Sequence, residues 1–203
     1  MRYLILALAL TNCAAAIGEE MLLYRYSRER FDKLLTELSG SGIRRITVVI
    51  LPGGDPKPNV YGEYAMGYGG QGHLDLSLPN PAFFQHLDWI LKRAGSRNIE
   101  VAILPIEVSS SLMVSNPRER FYEWGRYLGR RYMKAKGLVW LRQNNQVDGP
   151  LSDLQEGIRQ FDATHKFELI QVKPPSASVP NFREASSSQR TSYAAARQSL
   201  SGI

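Results

Sequence analysis

Short apolar runs rich in β-branched residues alternate along this chain with longer segments whose apolar residues repeat every three or four positions. The runs are ITVVIL (46–51), IEVAILP (99–105), LVWL (138–141) and FELIQV (167–172). Such runs are typical of strands covered on both faces, and the longer segments have the repeat of amphipathic helices. Strands that alternate with helices pair in parallel, through right-handed crossovers. The alternation therefore predicts the α/β class, with about four parallel strands.

Residues that favour helix starts support this pattern. They stand before or at the beginning of the four predicted helices, at Ser27, Asn80, Asn116 and Ser152. Asn80 and Asn116 are each followed by proline, which is favoured at the first position of a helix. Gly125 and Gly129 are four residues apart in the third predicted helix and would permit close packing there.

The two ends of the chain differ from its middle. Residues 1–18 have a positive start, an apolar stretch and then small residues, which is the layout of a secretory signal peptide. Two alternatives stay open: a buried first strand, or a lipoprotein acylated at Cys13. We expect a folded domain over 19–175, a low-complexity tail over 176–203 with few large apolar residues, and a secreted or periplasmic location. Beyond export, no association with a membrane is expected, since the apolar stretch is too short to span one.

The connection between the first apolar run and the helix at Asn80 is unusually long, at about 28 residues. Connections of this length are normally functional or disordered. This one combines hydrogen-bonding groups with flat rings, at Asn59, Tyr61, Tyr64, Tyr68, Gln71, His73 and Asp75. That mixture suits a polar, ring-shaped ligand. It predicts one wall of a sugar-binding cleft, with Asn59, Tyr61, Tyr64 and His73 as candidate binding residues.

Five blocks occur in the order in which they are found in the apiosidase-like glycoside hydrolases. They are RYSRERF (25–31), PNVYG (58–62), NPAFFQHLDWI (80–90), VAILP (101–105) and YLGRRY (127–132), which leads into LVW (138–140). The chain resembles this family over 22–141 and more weakly to about 175. The resemblance implies a (β/α)8 barrel, an ancestral activity on plant-type polysaccharide, and a sugar-binding loop that includes Asn59, Tyr61 and Gly62.

The chain departs from the family where a catalytic acid is expected. In the family, the strand that ends at Trp140 leads into Gly-Gly-Asp, and this chain has Gln143, Asn144 and Asn145 there. An amide thus replaces the carboxylate, and the second catalytic carboxylate, from a late strand, has no counterpart. A complete barrel usually needs about 250 residues, so we expect a partial TIM-type barrel. Such a barrel leaves two sheet edges unpaired. A second copy of the chain or another partner would cover them, or the strands would rearrange into an open sheet. The remaining alternative is that the chain is a gene fragment.

Glycoside hydrolysis requires two carboxylates, one on each side of the scissile bond. Because such barrels keep their sites at the carboxyl ends of strands, the candidates are Asp55, Glu63, Asp75, Glu107 and Asp148. Glu107 is the best placed, two residues after a predicted strand, and Asp148 would replace the lost acid through a shifted loop. For each of these acids the alternative is an ordinary solvated loop residue.

Two further residues each have two interpretations. Asn145 either donates a hydrogen bond to sugar or is an ordinary loop residue, and Trp140 either stacks on a sugar face or fills the core. The leading functional prediction is an exported, glycoside-hydrolase-like protein with a carbohydrate-binding cleft. The alternatives are a non-catalytic half-barrel that binds carbohydrate or a partner after losing its acid, and a gene fragment without function.

Other classes of function fit the sequence less well. The net charge of +6 lies largely on predicted helices and in the tail, without the mixture of basic and aromatic residues typical of a nucleic-acid groove. The three histidines lack ligand spacing, so we expect no metal and no cofactor. GYGGQG (67–72) matches the dinucleotide fingerprint, but it does not lie directly between a strand and a helix as that mechanism requires.

Overall fold

The computed structural model describes residues 22–70, 72–108, 110–143 and 149–170. Its elements, in chain order, are α1 (Leu22–Arg25), α2 (Arg28–Gly40), β1 (Arg45–Leu51), β2 (Met66–Tyr68), β3 (Leu74–Pro79), α3 (Pro81–Gly95), β4 (Glu100–Ile106), α4 (Leu112–Ser115), α5 (Arg118–Tyr132), β5 (Leu138–Gln143), α6 (Pro150–Arg159) and β6 (Phe167–Ile170). The predicted signal segment (1–18) and tail (176–203), together with Asn145 and Asp148, lie outside the described residues.

Four strands form one parallel sheet in the order β1-β4-β5-β6, and β2 and β3 form a separate antiparallel hairpin. The register of the parallel sheet pairs Arg45 with Glu100, and it pairs Trp140 with both Ile103 and Phe167. Helices separate the four parallel strands along the chain. The predicted α/β class with four parallel strands is therefore confirmed.

Both faces of the parallel sheet are apolar. The face toward the helices contributes Ile46, Val48 and Ile50 of β1 to the main core, where they join the large aromatic side chains of α2, α3 and α5. The opposite face carries a smaller cluster made of Val49, Ala102, Leu104, Val139 and Leu141. Because neighbouring residues of a strand point to opposite faces, burial of both faces makes the strands apolar almost throughout.

Helices α5 and α6 make the most extensive helix–helix contact among the described elements. A Cβ atom added to Gly125 would lie 2.2 Å from the carbonyl oxygen of Leu154, and one added to Gly129 would lie 2.4 Å from that of Ile158. Gly157 meets the backbone of α5 just as closely, with its added Cβ at 2.2 Å. The predicted close contact at Gly125 and Gly129 is confirmed, and the backbones of the two helices touch where side chains are missing.

The long connection is more ordered than predicted. The expectation of a continuous loop over 52–79 is wrong, because its second half forms the β2–β3 hairpin. Met66, Leu74 and Leu76 of this hairpin are buried in the main core, and the N–H of Asn80 donates to the carbonyl of Ala65 at 3.0 Å. The alternation of leucine with polar residues over 74–78 is the period of a strand.

Two of the predicted helix starts are confirmed and one is shifted. The hydroxyl of Ser27 and the side-chain oxygen of Asn80 each accept a hydrogen bond from the first turn of their helix, as N-caps do. The fourth helix begins at Pro150, earlier than the predicted start at Ser152. Proline is favoured there because an N–H at the first position of a helix has no acceptor within the helix, so its absence costs no hydrogen bond.

The predicted cap at Asn116 is wrong. Helix α5 begins after Pro117, and no side chain caps it. The side chain of Asn116 instead holds the hairpin. Its Oδ1 accepts from the N–H of Leu76 at 3.0 Å, and its Nδ2 donates to the carbonyl of Leu74 at 3.2 Å. A tertiary contact therefore takes the hydrogen bonds that the sequence pattern assigned to a local cap.

Ion pairs join three strands at the amino end of the parallel sheet. Arg45 of β1 pairs with Glu100 of β4, and it donates to both carboxylate oxygens of Glu168 on β6 at 2.7 and 3.0 Å. In a flat sheet, β1 and β6 would lie about 14 Å apart, so this contact requires strong curvature. Hydrogen bonds from Arg45 and Lys166, together with their positive charges, lower the pKa of Glu168 to about 2.

A buried polar cluster lies near the same end, between β5 and the segment that leads into β6. Asp162 is 1% exposed. Its carboxylate accepts from the indole N–H of Trp140 at 2.8 Å and lies 2.7 Å from Nδ1 of His165. Burial by itself would raise the pKa of Asp162, but the hydrogen bonds from Trp140 and His165 hold it below its ordinary value. The cluster fixes Trp140 in the core.

Candidate functional site

The ends of β1, β4 and β5 meet along one side of the parallel sheet. We define the carboxyl edge as residues 52–54, 107–108 and 143, which end or directly follow these strands. The backbones stay paired beyond the strands, since the N–H of Glu107 donates to the carbonyl of Leu51 at 2.9 Å and Gly54 forms a parallel bridge with Ser110. This side of a parallel sheet is where α/β folds usually place their sites.

Glu107 is held in the carboxyl edge by a backbone donor. Its carboxylate accepts a hydrogen bond from the N–H of Gly53, in the turn that follows β1. Gly54 has a φ of +76° in this turn, a conformation that favours glycine. Glu107 is partly buried, and no described basic side chain forms an ion pair with it. The carboxylate is therefore oriented, while its charge is not neutralised by a described residue.

Gln143 contacts Val108, the residue that directly follows Glu107, and the sequence prediction missed it. Strand β5 extends two residues beyond the predicted 138–141, which places Gln143 inside the sheet. Its Oε1 accepts from the N–H of Val108 at 2.7 Å. Because a backbone N–H can only donate, the oxygen must face Val108 and the amide nitrogen must face away. That nitrogen has no hydrogen-bond partner among the described residues, and Gln143 as a whole is 6% exposed.

Two of the other candidate acids are engaged in holding the local structure. Glu63 accepts from the side-chain amide of Asn80 at 2.8 Å, so it supports the start of α3. Asp75 accepts from the N–H and the hydroxyl of Ser77 at 2.8 and 2.7 Å. Burial alone would raise the pKa of Asp75, but Ser77 and Arg120 together hold it below its ordinary value.

Two candidate acids remain, Asp55 and Asp148. Asp55 follows the carboxyl edge in an exposed position, and Asp148 lies outside the described residues. Of the four predicted acids that the structure describes, Glu107 is the one that lies within the carboxyl edge.

Asn59 and Tyr61 belong to a tight turn rather than to the carboxyl edge. Asn59 is 5% exposed, and its Oδ1 accepts from the N–H groups of Tyr61 and Glu63 at 2.9 and 3.1 Å. The hydroxyl of Tyr61 accepts from the N–H of Arg28 at 2.9 Å. Its ring lies edge-on to His86, with centroids 5.1 Å apart. Asn59 therefore shapes the turn, and Tyr61 packs against helices α2 and α3.

The β2–β3 hairpin presents the other aromatic candidates. The rings of Tyr64 and Tyr68 meet edge to face with centroids 5.9 Å apart, and Tyr68 is 60% exposed. A hydrogen bond with Tyr64 raises the pKa of Tyr68. His73 is exposed in the turn between the two strands. Tyr68 thus offers an exposed flat ring, supported by Tyr64, next to the exposed turn.

Trp140 has no exposed surface, so the core interpretation is the one that the structure supports. Its ring stacks on Phe167 at 6.3 Å with an interplanar angle of 24°, and it packs against Tyr132. Its only polar atom donates to Asp162. A sugar ring has no access to a side chain in this position.

Metal and membrane sites are two further possibilities within the described part of the chain. There, no group of three or more His, Cys, Asp or Glu residues is arranged to hold a metal ion. In the same ranges no helix combines the length and the apolar character needed to cross a membrane.

Comparison with known protein families adds to this geometry. A family model described as the apiosidase-like catalytic domain matches residues 20–196, which is most of the chain. The chain belongs to the apiosidase-like family. A search of curated proteins finds none that matches it.

Solved structures agree on the fold of this apiosidase-like chain. A glycoside hydrolase of family 5 from Bacteroides vulgatus ATCC 8482 has a TM-score of 0.64 and 22% identity, covering 82% of this chain and 37% of its own. Another glycoside hydrolase has a TM-score of 0.63 and 19% identity, covering 74% and 35%. The chain thus spans little more than a third of the length of these TIM-barrel relatives. The predicted partial TIM-type fold and the relationship to glycoside hydrolases are confirmed.

Proposed function

We propose that this protein binds carbohydrate at the carboxyl edge of its parallel sheet. The observation that carries the proposal is the pair of Glu107 and Gln143 at adjacent strand ends, each fixed by one backbone N–H. A carboxylate and an amide are suitable partners for sugar hydroxyls, because together they accept and donate hydrogen bonds. Membership of the apiosidase-like family supports the same ligand class, and the TIM-type fold supports the same side of the sheet.

Hydrolysis of a plant-type polysaccharide is the second candidate function. It requires two carboxylates, about 5 Å apart for retention of configuration and about 6.5–9.5 Å for inversion. Glu107 is one oriented carboxylate, and Asp148, five positions beyond Gln143, is the candidate for the other. Asn145 stands where the family has its acid, and an amide cannot transfer that proton. This replacement favours binding without turnover as the first proposal.

We also propose that the protein is exported. The support is the sequence of residues 1–18, where an apolar stretch follows a positive start and precedes small residues. Export would bring a carbohydrate-binding protein into contact with polysaccharides outside the cell. Expressing the full chain and determining the first residue of the mature protein tests this proposal, and an unprocessed chain retained in the cytoplasm would contradict it.

The two candidate functions are separated by measuring binding and release of reducing sugar on the same glycans. The neutral, arabinan-type side chains of pectic polysaccharides are suitable, with Glu107→Gln and Asp148→Asn as test variants. Asp153→Asn is the matched control, because Asp153 lies on α6 and pairs with Arg118. We expect binding that Glu107→Gln weakens, without release of sugar. Sugar release that both test variants abolish would establish the hydrolase, and failure of the unaltered protein to bind any glycan would contradict the binding proposal.

A further inference from the structure

We infer that Glu107 and Gln143 together select neutral saccharides that carry two adjacent free hydroxyls. This inference rests on the proposed function, and it names the chemical class of ligand and a residue that distinguishes it. It follows from three properties of the pair: the hydrogen-bonding groups that remain free, the charge of the carboxyl edge, and the presence of a side chain at position 143.

The free hydrogen-bonding groups of the pair are complementary. The N–H of Gly53 occupies one acceptor position of the Glu107 carboxylate, and a carboxylate has about four such positions. The N–H of Val108 occupies Oε1 of Gln143, which leaves the two N–H donors of its amide. Val108 directly follows Glu107, so one peptide group joins the two sites. A diol matches this arrangement when one hydroxyl donates to Glu107 and its neighbour accepts from Gln143.

The charge of the carboxyl edge disfavours acidic sugars. Residues 52–54, 107–108 and 143 include one carboxylate and no lysine or arginine. The nearest arginine along β5, Arg142, donates to Gln155 on α6 and therefore points toward the helices. A uronate would place a second negative charge beside Glu107 without a compensating cation at the edge. Repulsion of this kind is a common means of rejecting a competing ligand.

The side chain of Gln143 acts at two places. Its oxygen accepts from the N–H of Val108, which fixes the amide in one orientation. Gln143 is therefore both a positioning residue for the end of β4 and a direct donor to the ligand.

The substitution Gln143→Glu separates these two roles. Glutamate has the same shape and keeps an acceptor for the N–H of Val108, but it replaces the donating NH₂ group with a second acceptor. We expect the affinity for neutral sugars to fall about tenfold or more. One hydrogen bond to the ligand is lost, and the new carboxylate oxygen repels the ligand oxygen that had accepted it. Hydrogen exchange of the Val108 amide should stay as slow as in the unaltered protein. Gln85→Glu is the matched control on the exposed surface of α3.

The probes are four methyl glycosides: those of arabinofuranose, xylopyranose and galactopyranose as neutral sugars, and that of galacturonic acid as the acidic one. Each is titrated into the unaltered protein and into the Gln143→Glu variant, and binding is followed by NMR. The 2-deoxy form of the arabinofuranoside is titrated in parallel, because it removes one hydroxyl of the one adjacent pair in that sugar without changing the protein. We expect it to bind more weakly than its parent to the unaltered protein, and to lose less affinity than its parent in the variant.

Each outcome decides between the claims. Tighter binding of the neutral probes than of the galacturonide by the unaltered protein, together with weaker binding of the neutral probes by Gln143→Glu, supports the inference. Equal or tighter binding of the galacturonide, or a 2-deoxy arabinofuranoside that binds as well as its parent, would overturn it while leaving carbohydrate binding intact. Faster exchange at Val108 in the variant would overturn the claim that the two roles are separable. If no probe binds the unaltered protein, the proposed function is contradicted and the inference falls with it.

Discussion

The two ends of the parallel sheet use polar side chains in opposite ways. At the amino end, Arg45 pairs with Glu168 across the sheet, and Asp162 is enclosed by its own hydrogen-bond donors. At the carboxyl edge, Glu107 and Gln143 each accept a hydrogen bond from the backbone of a neighbouring segment. At the first end, ion pairs and a dense set of side-chain and backbone hydrogen bonds engage these groups within the protein. At the second end, one backbone N–H orients each side chain and leaves part of it free.

This difference separates stability from binding. A polar group that is fully satisfied within the protein stabilises the fold and has nothing left to offer a ligand. A group held by one backbone N–H is oriented in advance and still able to bind, so less ordering is required when a ligand arrives. Barrels of this type commonly keep binding at the carboxyl end of the strands and stability at the other. The comparison predicts that substitutions at the two ends have different consequences.

The largest effect is expected at the amino end, from Asp162→Ala. This substitution leaves the indole N–H of Trp140 buried without a partner and removes the carboxylate beside His165. We expect the free energy of unfolding to fall by about 3 kcal/mol or more. Urea titration followed by tryptophan fluorescence measures this change.

The control for Asp162→Ala is Asp153→Ala, which breaks the ion pair with Arg118 on the surface. Its cost should stay below about 1 kcal/mol. Sugar binding by both variants, measured while they are folded, should be unchanged. Equal destabilisation by the two substitutions would contradict the claim that the buried cluster supports the amino end.

The next largest effect is expected at the carboxyl edge, from Glu107→Gln. The amide oxygen still accepts from the N–H of Gly53, so the free energy of unfolding should change by less than about 1 kcal/mol. Loss of the charged acceptor should weaken sugar binding by roughly 10- to 100-fold. Calorimetric titration and thermal unfolding of the same sample measure the two quantities. A large loss of stability with unchanged binding would reverse the comparison between the ends.

A smaller effect is expected from Arg45→Gln, which removes the cation shared by Glu100 and Glu168. The pairs are partly exposed and therefore screened, so we expect a loss of about 1 kcal/mol in unfolding free energy. Lys33→Gln, on the exposed surface of α2, is the matched control and should be neutral. Sugar binding should not respond to either change. Added salt should reduce the difference between Arg45→Gln and the unaltered protein, and a difference that salt leaves intact would argue against an ionic origin.

The smallest effect concerns pH. Since Arg45 and Lys166 lower the pKa of Glu168 to about 2, its ionised form stabilises the fold at pH values above its ordinary pKa. That contribution is lost as the pH falls from about 4.5 toward 2, and screening keeps it below about 1 kcal/mol. Thermal unfolding of Glu168→Gln between pH 6 and pH 3 should show a smaller decline than the unaltered protein. Parallel declines would show that Glu168 does not contribute to the pH dependence of stability.

Local patterns predicted most of the elements but not the contacts between them. The apolar runs and Asn80 are sufficient for the strands and a helix start, because periodicity and capping involve neighbouring residues. Asn116 has the same local pattern as Asn80, yet it binds the hairpin, whose short strands had been taken for part of a loop. The competing hydrogen bonds come from residues about 40 positions away, which no local pattern contains.

The candidate site shows the same limit. Glu107 was predictable, because its position after an apolar run places it at the carboxyl end of a strand. Gln143 was not, because its role depends on a hydrogen bond to Val108, 35 positions earlier in the chain. Trp140 had two equally good interpretations until its burial decided between them. Asn59 and Tyr61 have binding groups by composition, but their contacts hold a turn and pack on helices.

The most direct test of the central claim is an NMR titration of the ¹⁵N-labelled protein with the neutral methyl glycosides. We predict that the backbone amides of Gly53 and Val108 and the side-chain amide of Gln143 shift together with one dissociation constant. The amides of Glu100 and Glu168, at the other end of the sheet, should stay in place. Shifts confined to the amino end or to the helical surface, or no shift with any of these sugars, would contradict a carbohydrate site at the carboxyl edge.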